Sequence, residues 1–126
     1  MRSRTADASV RQARGRRPMV AAAPPLRLAL WVSVGCQNDG HSLALRVAQH
    51  WVRRGHVLAL VFLHEDAVEA AANRALARHW LDIAPDRVFA CSAACQRRSI
   101  ENAHLPMAGL ASWVDSKASV DRVLHL

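Results

Sequence analysis

The sequence predicts an α/β domain with a small open parallel sheet and helices on both faces. Three observations predict it. The run Val57-Leu-Ala-Leu-Val-Phe-Leu63 is apolar throughout rather than alternating, the pattern of a strand covered on both sides. Strand-sized apolar runs alternate along the chain with segments of helical period, in the order β-α-β-α-β-α-β. The connections between them are short and rich in Gly, Pro, Asn and Asp, which suits parallel crossovers.

Taken in order, Leu28-Ala-Leu-Trp-Val-Ser-Val34 is apolar and branched and reads as the first buried strand. Gly35-Cys-Gln-Asn-Asp-Gly40 is a turn. Leu43, Val47, Ala48, Trp51 and Val52 recur at helical spacing, and Gly55 after Arg53-Arg54 marks the end of that helix. After the strand 57–63, Val68, Ala72, Ala75, Leu76 and His79/Trp80 trace one second helix, broken at Pro85-Asp86. Arg87-Val-Phe-Ala90 is a short third strand with Cys91 at its end. A helix over 108–118 and a final strand over 122–126 complete the domain.

The chain has 126 residues, of which 52% are hydrophobic, enough for one domain with its own core. No apolar run reaches the roughly 18 residues of a membrane span. The net charge of +7 is unevenly placed. Residues 1–26 hold six arginines (Arg2, Arg4, Arg11, Arg14, Arg16 and Arg17) against Asp7 alone. Residues 27–126 hold eleven Lys/Arg and nine Asp/Glu. The division is therefore a basic extension over 1–26 and a folded domain over 27–126. The extension lacks the apolar core of a signal peptide and any amphipathic period, and its composition predicts disorder. Three cysteines at irregular spacing do not form a secreted disulfide framework, so a reducing, cytoplasmic setting is expected.

In open parallel sheets, sites form at the carboxyl ends of the strands. The turn 35–40 and Cys91 both fall there. Cys91-Ser-Ala-Ala-Cys-Gln-Arg-Arg-Ser99 is the informative stretch. A cysteine that ends a strand and opens a helix lies near unpaired backbone N–H groups, which favour the thiolate. Arg97 and Arg98 would add positive charge by folding back over it. The same position also suits a small buried cysteine, and position alone leaves both readings open.

The segment Cys91–Arg98 resembles the active-site segment of the DsrE/TusD family of sulfur-relay proteins, where a cysteine is followed by small residues and then Arg-Arg. Gly109-Leu-Ala-Ser-Trp-Val-Asp115, followed by Asp121-Arg-Val-Leu-His-Leu126, is similar to the family's ending. Gly55-His56 before the second strand and His64-Glu-Asp-Ala-Val68 after it resemble the corresponding family segments. The resemblance spans about 28–126. It implies a DsrE/F-like, flavodoxin-like three-layer fold. It also implies a sulfurtransferase that takes a persulfide sulfur on catalytic Cys91, supported by Arg97 and Arg98, without a cofactor. The recipient pathway would be tRNA wobble 2-thiouridine synthesis or dissimilatory sulfur oxidation. The implied partners are DsrE/F/H-type or TusB/TusC-type subunits in a heterohexamer, with upstream and downstream sulfur carriers. A non-catalytic scaffold subunit of such a complex is the alternative. The loop before the second helix and the segment from Arg98 to Leu105 are shorter than in the family. Ser99 stands where the family has glycine, and Leu126 where it has an aromatic residue.

Cys95 lies four residues after Cys91, on the same helical face, and is a candidate relay thiol as well as a core residue. Cys36, Asp39 and His41 lack paired metal-ligand spacing, so no metal centre is expected. The turn 35–40 lacks a phosphate-binding glycine pattern. Trp31, Trp51, Trp80 and Trp113 occupy apolar positions of regular elements and read as core or subunit-interface residues. Trp51, Trp80 and Trp113 together exceed what a domain of this size easily hides, which predicts self-association. The domain carries no nucleic-acid recognition motif. No direct DNA binding is expected, and any RNA binding would rest on the basic extension.

Overall fold

The computed structural model describes residues 24–126, and the expectation of a disordered basic extension lies mostly outside them. The chain runs β1 (Arg27–Val32), α1 (Asp39–Arg53), β2 (Val57–Leu63), a 3-10 helix (Glu65–Ala72) and α2 (Arg74–Ile83). It continues through β3 (Val88–Cys91), α3 (Ser92–Arg97), β4 (Met107–Ala108), α4 (Leu110–Lys117) and β5 (Arg122–His125). The five strands form one all-parallel sheet in the order β4-β3-β2-β1-β5.

That order fixes the layers. The connections from β1 to β4 step across the sheet in one direction, and the connection from β4 to β5 returns across all of it. Right-handed crossovers then put α1, α2 and α3 on one face and α4 on the other. The side chains agree. On the first face, Trp80 of α2 donates its indole N–H to His41 of α1 at 3.1 Å. On the second, Trp113 of α4 packs on Trp31 and Phe62, with ring centroids 5.1 and 6.3 Å apart. Trp31 and Phe62 are register partners on β1 and β2.

β2 is the middle strand, and all of it beyond Val57 is buried, as its unbroken apolar run requires. Phe62 and Trp80 are fully buried, each such side chain contributing roughly 1.5–3 kcal/mol. The tryptophans correct the sequence expectation in part. Trp80 and Trp113 are buried within the chain itself, and only Trp31 and Trp51 are partly exposed. The exposed apolar surface lies instead at Met107, Leu110 and Val114, with Leu43, Val52 and Val123 elsewhere.

Three local differences have physical reasons. The second helix is split: a 3-10 helix ends at Ala72, and Asn73 caps α2 by accepting from the Leu76 N–H at 3.0 Å. Ala67, Val68, Ala70 and Ala71 of the 3-10 helix are fully buried, and small side chains let this tight turn lie close to its neighbours β3, α2 and α3. The helix expected from residue 108 begins at Leu110, with Gly109 as its N-cap. Met107–Ala108 forms a two-residue edge strand, too short to leave a periodic signal.

Helix α1 ends as its sequence demands. The Gly55 N–H bonds to the Val52 carbonyl and the His56 N–H to that of Trp51, closing a Schellman cap. Gly55 sits at φ +83°, where glycine alone is relaxed.

Candidate functional site

Cys91 is the last residue of β3 and the N-cap of α3, with its backbone extended at φ −61°, ψ 119°. It pairs in register with Ala108, the last residue of β4. The helix after β3 lies on one face of the sheet and the helix after β4 on the other. The crevice between the carboxyl ends of these two strands is therefore the topological switch point, where open α/β sheets hold their ligands. The Cys91 side chain makes no capping hydrogen bond to α3. It is 4% exposed.

Arg97 and Arg98 lie at the far end of α3. Arg97 reaches the Glu65 carboxylate at 3.4 Å. Arg98 donates to the Glu65 carbonyl at 3.2 Å and meets the Asp66 carboxylate at 2.6 Å. The two guanidinium groups thus clamp the loop after β2 to α3, rather than bonding to the cysteine over which the sequence reading folded them. Glu65 is held at φ +50°. No sequence signal marked it, because an acidic residue after a strand reads as ordinary loop. Ser99, just past α3, stands at φ +56° in a second Schellman cap: its N–H bonds to the Gln96 carbonyl and that of Ile100 to Cys95.

The three thiols are free, and their surroundings differ. Cys95 is fully buried, and burial, then the nearness of Cys91, pushes its thiol pKa up. That environment favours the core role over the relay role. Cys36 is half-buried in the β1–α1 loop. Burial and the Glu69 carboxylate push its thiol up to about 11, against a smaller lowering by a backbone hydrogen bond.

His41 is fully buried, with both ring nitrogens engaged. One lies 3.0 Å from the Val34 carbonyl and the other accepts from Trp80. It latches the β1–α1 loop to α2 and has no lone pair for a metal. Among the described residues, no group of three or more His, Cys, Asp or Glu is arranged to hold a metal ion. His104 contributes its backbone N–H, bonded to the Ala71 carbonyl at the end of the 3-10 helix. A polar cleft of about 390 Å³ opens at the same sheet edge, lined by Gly35, Gln37, Asn38, Asp66 and Glu69. No helix among the described residues is long and apolar enough to cross a membrane.

No family model and no curated protein matches the chain. Solved structures do. The YchN protein from E. coli superposes with a TM-score of 0.66 at 20% identity, covering 82% of this chain and 100% of its own. A conserved protein of unknown function from Bacteroides thetaiotaomicron, BT1422, superposes at 0.58 with 13% identity, covering 79% and 94%. The chain shares with them one α/β fold built on a parallel sheet.

Proposed function

We propose that this chain is a sulfur carrier of the DsrE-like kind, a sulfurtransferase that holds a persulfide on Cys91. The observation that carries this reading is the position of Cys91 at the switch point between β3 and β4, at a helix start that its sulfur does not cap. The Cys91 thiolate attacks the sulfane sulfur of a donor persulfide. The donor S–S bond breaks, its thiolate leaves, and Cys91 becomes a persulfide. An acceptor thiolate then attacks the outer sulfur and Cys91 departs as thiolate. One sulfur atom moves, and no external oxidant or reductant is needed. Donor and acceptor are upstream and downstream carriers, serving tRNA 2-thiouridine synthesis or sulfur oxidation. Related subunits supply the rest of the assembly.

Two observations favour the scaffold-subunit reading: Cys91 is buried, and Arg97 and Arg98 are engaged by Glu65 and Asp66. Sulfur loading separates the two. Incubation with a cysteine desulfurase, cysteine and an upstream carrier should add one sulfur by intact mass, releasable to a thiol. Cys91→Ser should keep the fold and lose loading, while Cys36→Ser should load normally. Wild-type protein that takes sulfur from no donor would leave the scaffold role in its place.

A further inference from the structure

A parallel sheet has two unlike edges, and the amino edge, opposite Cys91, gathers arginines. Arg27 opens β1 and Arg122 opens β5, in adjacent register against Leu28. Arg53 and Arg54 end α1 just ahead of β2. Arg87 precedes β3, and its carbonyl accepts from the Val61 N–H. With the strand order β3-β2-β1-β5, these residues form a row across four neighbouring strands. At a strand spacing of about 4.8 Å the row is roughly 14 Å long. Arg53, Arg54, Arg87 and Arg122 are exposed, and none of the five pairs with a carboxylate among the described residues.

The acids at this edge do little to cancel the row. Asp82 pairs with Arg78 at 3.4 Å. Asp121 accepts the Arg27 backbone N–H at 2.8 Å. That bond leaves Asp121 charged, so Asp86 and Asp121 stand against the five arginines, while Lys117 adds a further cation at the end of α4. Beside the row, the Trp51 and His56 rings lie with centroids 4.6 Å apart and planes tilted by 35°, and both remain partly exposed.

We propose that this row binds the phosphodiester backbone of a single-stranded nucleic acid. Arginines at the amino ends of neighbouring strands and at the end of α1 suit a chain of phosphates better than one small anion. A partly exposed aromatic pair beside it offers ring faces to bases. An anionic membrane would need an apolar face to bury, and among the described residues this edge offers only Val52 and Val123 as exposed large apolar residues. The inference does not depend on sulfur transfer, since Cys91 lies at the other edge.

The test is fluorescence polarisation of the full chain with a labelled RNA 20-mer of mixed sequence across a salt series. Arg54→Ala/Arg87→Ala/Arg122→Ala, with residues 1–26 intact, should weaken binding about tenfold or more and lower the salt slope by about 2. The matching Lys triple should retain the slope, and thermal melts should establish that both fold. Arg46→Ala/Arg74→Ala/Arg97→Ala removes equal charge away from the row and should bind nearly as wild type. Cys91→Ser should bind unchanged. Equal losses in the two Ala triples, an edge triple indistinguishable from wild type, or binding to phosphatidylserine vesicles without RNA binding would each overturn the proposal.

Discussion

Helices α1 and α3 end in the same hydrogen-bonded cap, with different residues at its left-handed position. In α1 it is Gly55, at the amino edge of the sheet; in α3 it is Ser99, on the element that Cys91 opens. The described non-glycine residues with positive φ, Glu65 and Ser99, both belong to the loop and helix joined by the Arg97–Arg98 clamp. One edge of the sheet is relaxed and the other is held in sparsely populated backbone. Such residues persist where surrounding contacts over-determine them, and they cluster at functional sites. The difference suggests that the carboxyl edge trades stability for the placement of Cys91.

The comparison can be broken by substitution. The largest effect expected is at Cys91 itself: under limiting alkylating agent at neutral pH, peptide mapping should find its adduct first. Labelling of Cys36 or Cys95 ahead of it would mean that the carboxyl edge does not prepare Cys91 for chemistry. Next is the buried latch of the same edge. His41→Phe leaves the Trp80 indole N–H and the Val34 carbonyl without their partner, and should destabilise by roughly 1–3 kcal/mol in urea melts. A smaller loss, about 1 kcal/mol, is expected for Gly55→Ala, which forces a Cβ into a left-handed position. Ser99→Gly should move the other way, gaining a few tenths to about 1 kcal/mol as relieved strain exceeds the added unfolded-chain entropy. Equal signs for these two substitutions would erase the contrast between the edges.

The smallest effect is at Cys36. Its thiol is raised from 9.0 to about 11, so the folded state holds the proton that the unfolded chain releases first. Its contribution is therefore fully present below pH 9 and is lost as pH rises towards 11. Cys36→Ser should flatten the fall in stability across that window.

Much of this was legible in the residues. Val57–Leu63 could only be a doubly covered strand, and Gly55 after two arginines could only end a helix. Cys91 at the end of a short strand placed the candidate site. What sequence could not give were features decided by distant partners. The direction of Arg97 and Arg98 depends on Glu65 and Asp66, some thirty residues earlier. The strand Met107–Ala108 exists only because β3 offers it a ladder. The break at Asn73 came from a cap that competes with a helical period running straight through it. Ser99 itself gave no sign that its backbone is left-handed, a position where glycine is the relaxed residue.

The strand order also bears on how the chain comes off the ribosome. β1 is made early, yet one of its two neighbours is β5, and the Arg27 N–H finds its Asp121 acceptor 94 residues away. Until that stretch emerges, an apolar strand keeps one ladder of N–H and C=O groups open. An unpaired strand edge is a template for other chains. Synthesis proceeds at about 5–20 residues per second, so that edge stays bare for several seconds in each nascent molecule. Within that interval, chaperone occupancy rather than native stability governs whether the sheet closes on itself or on a neighbour.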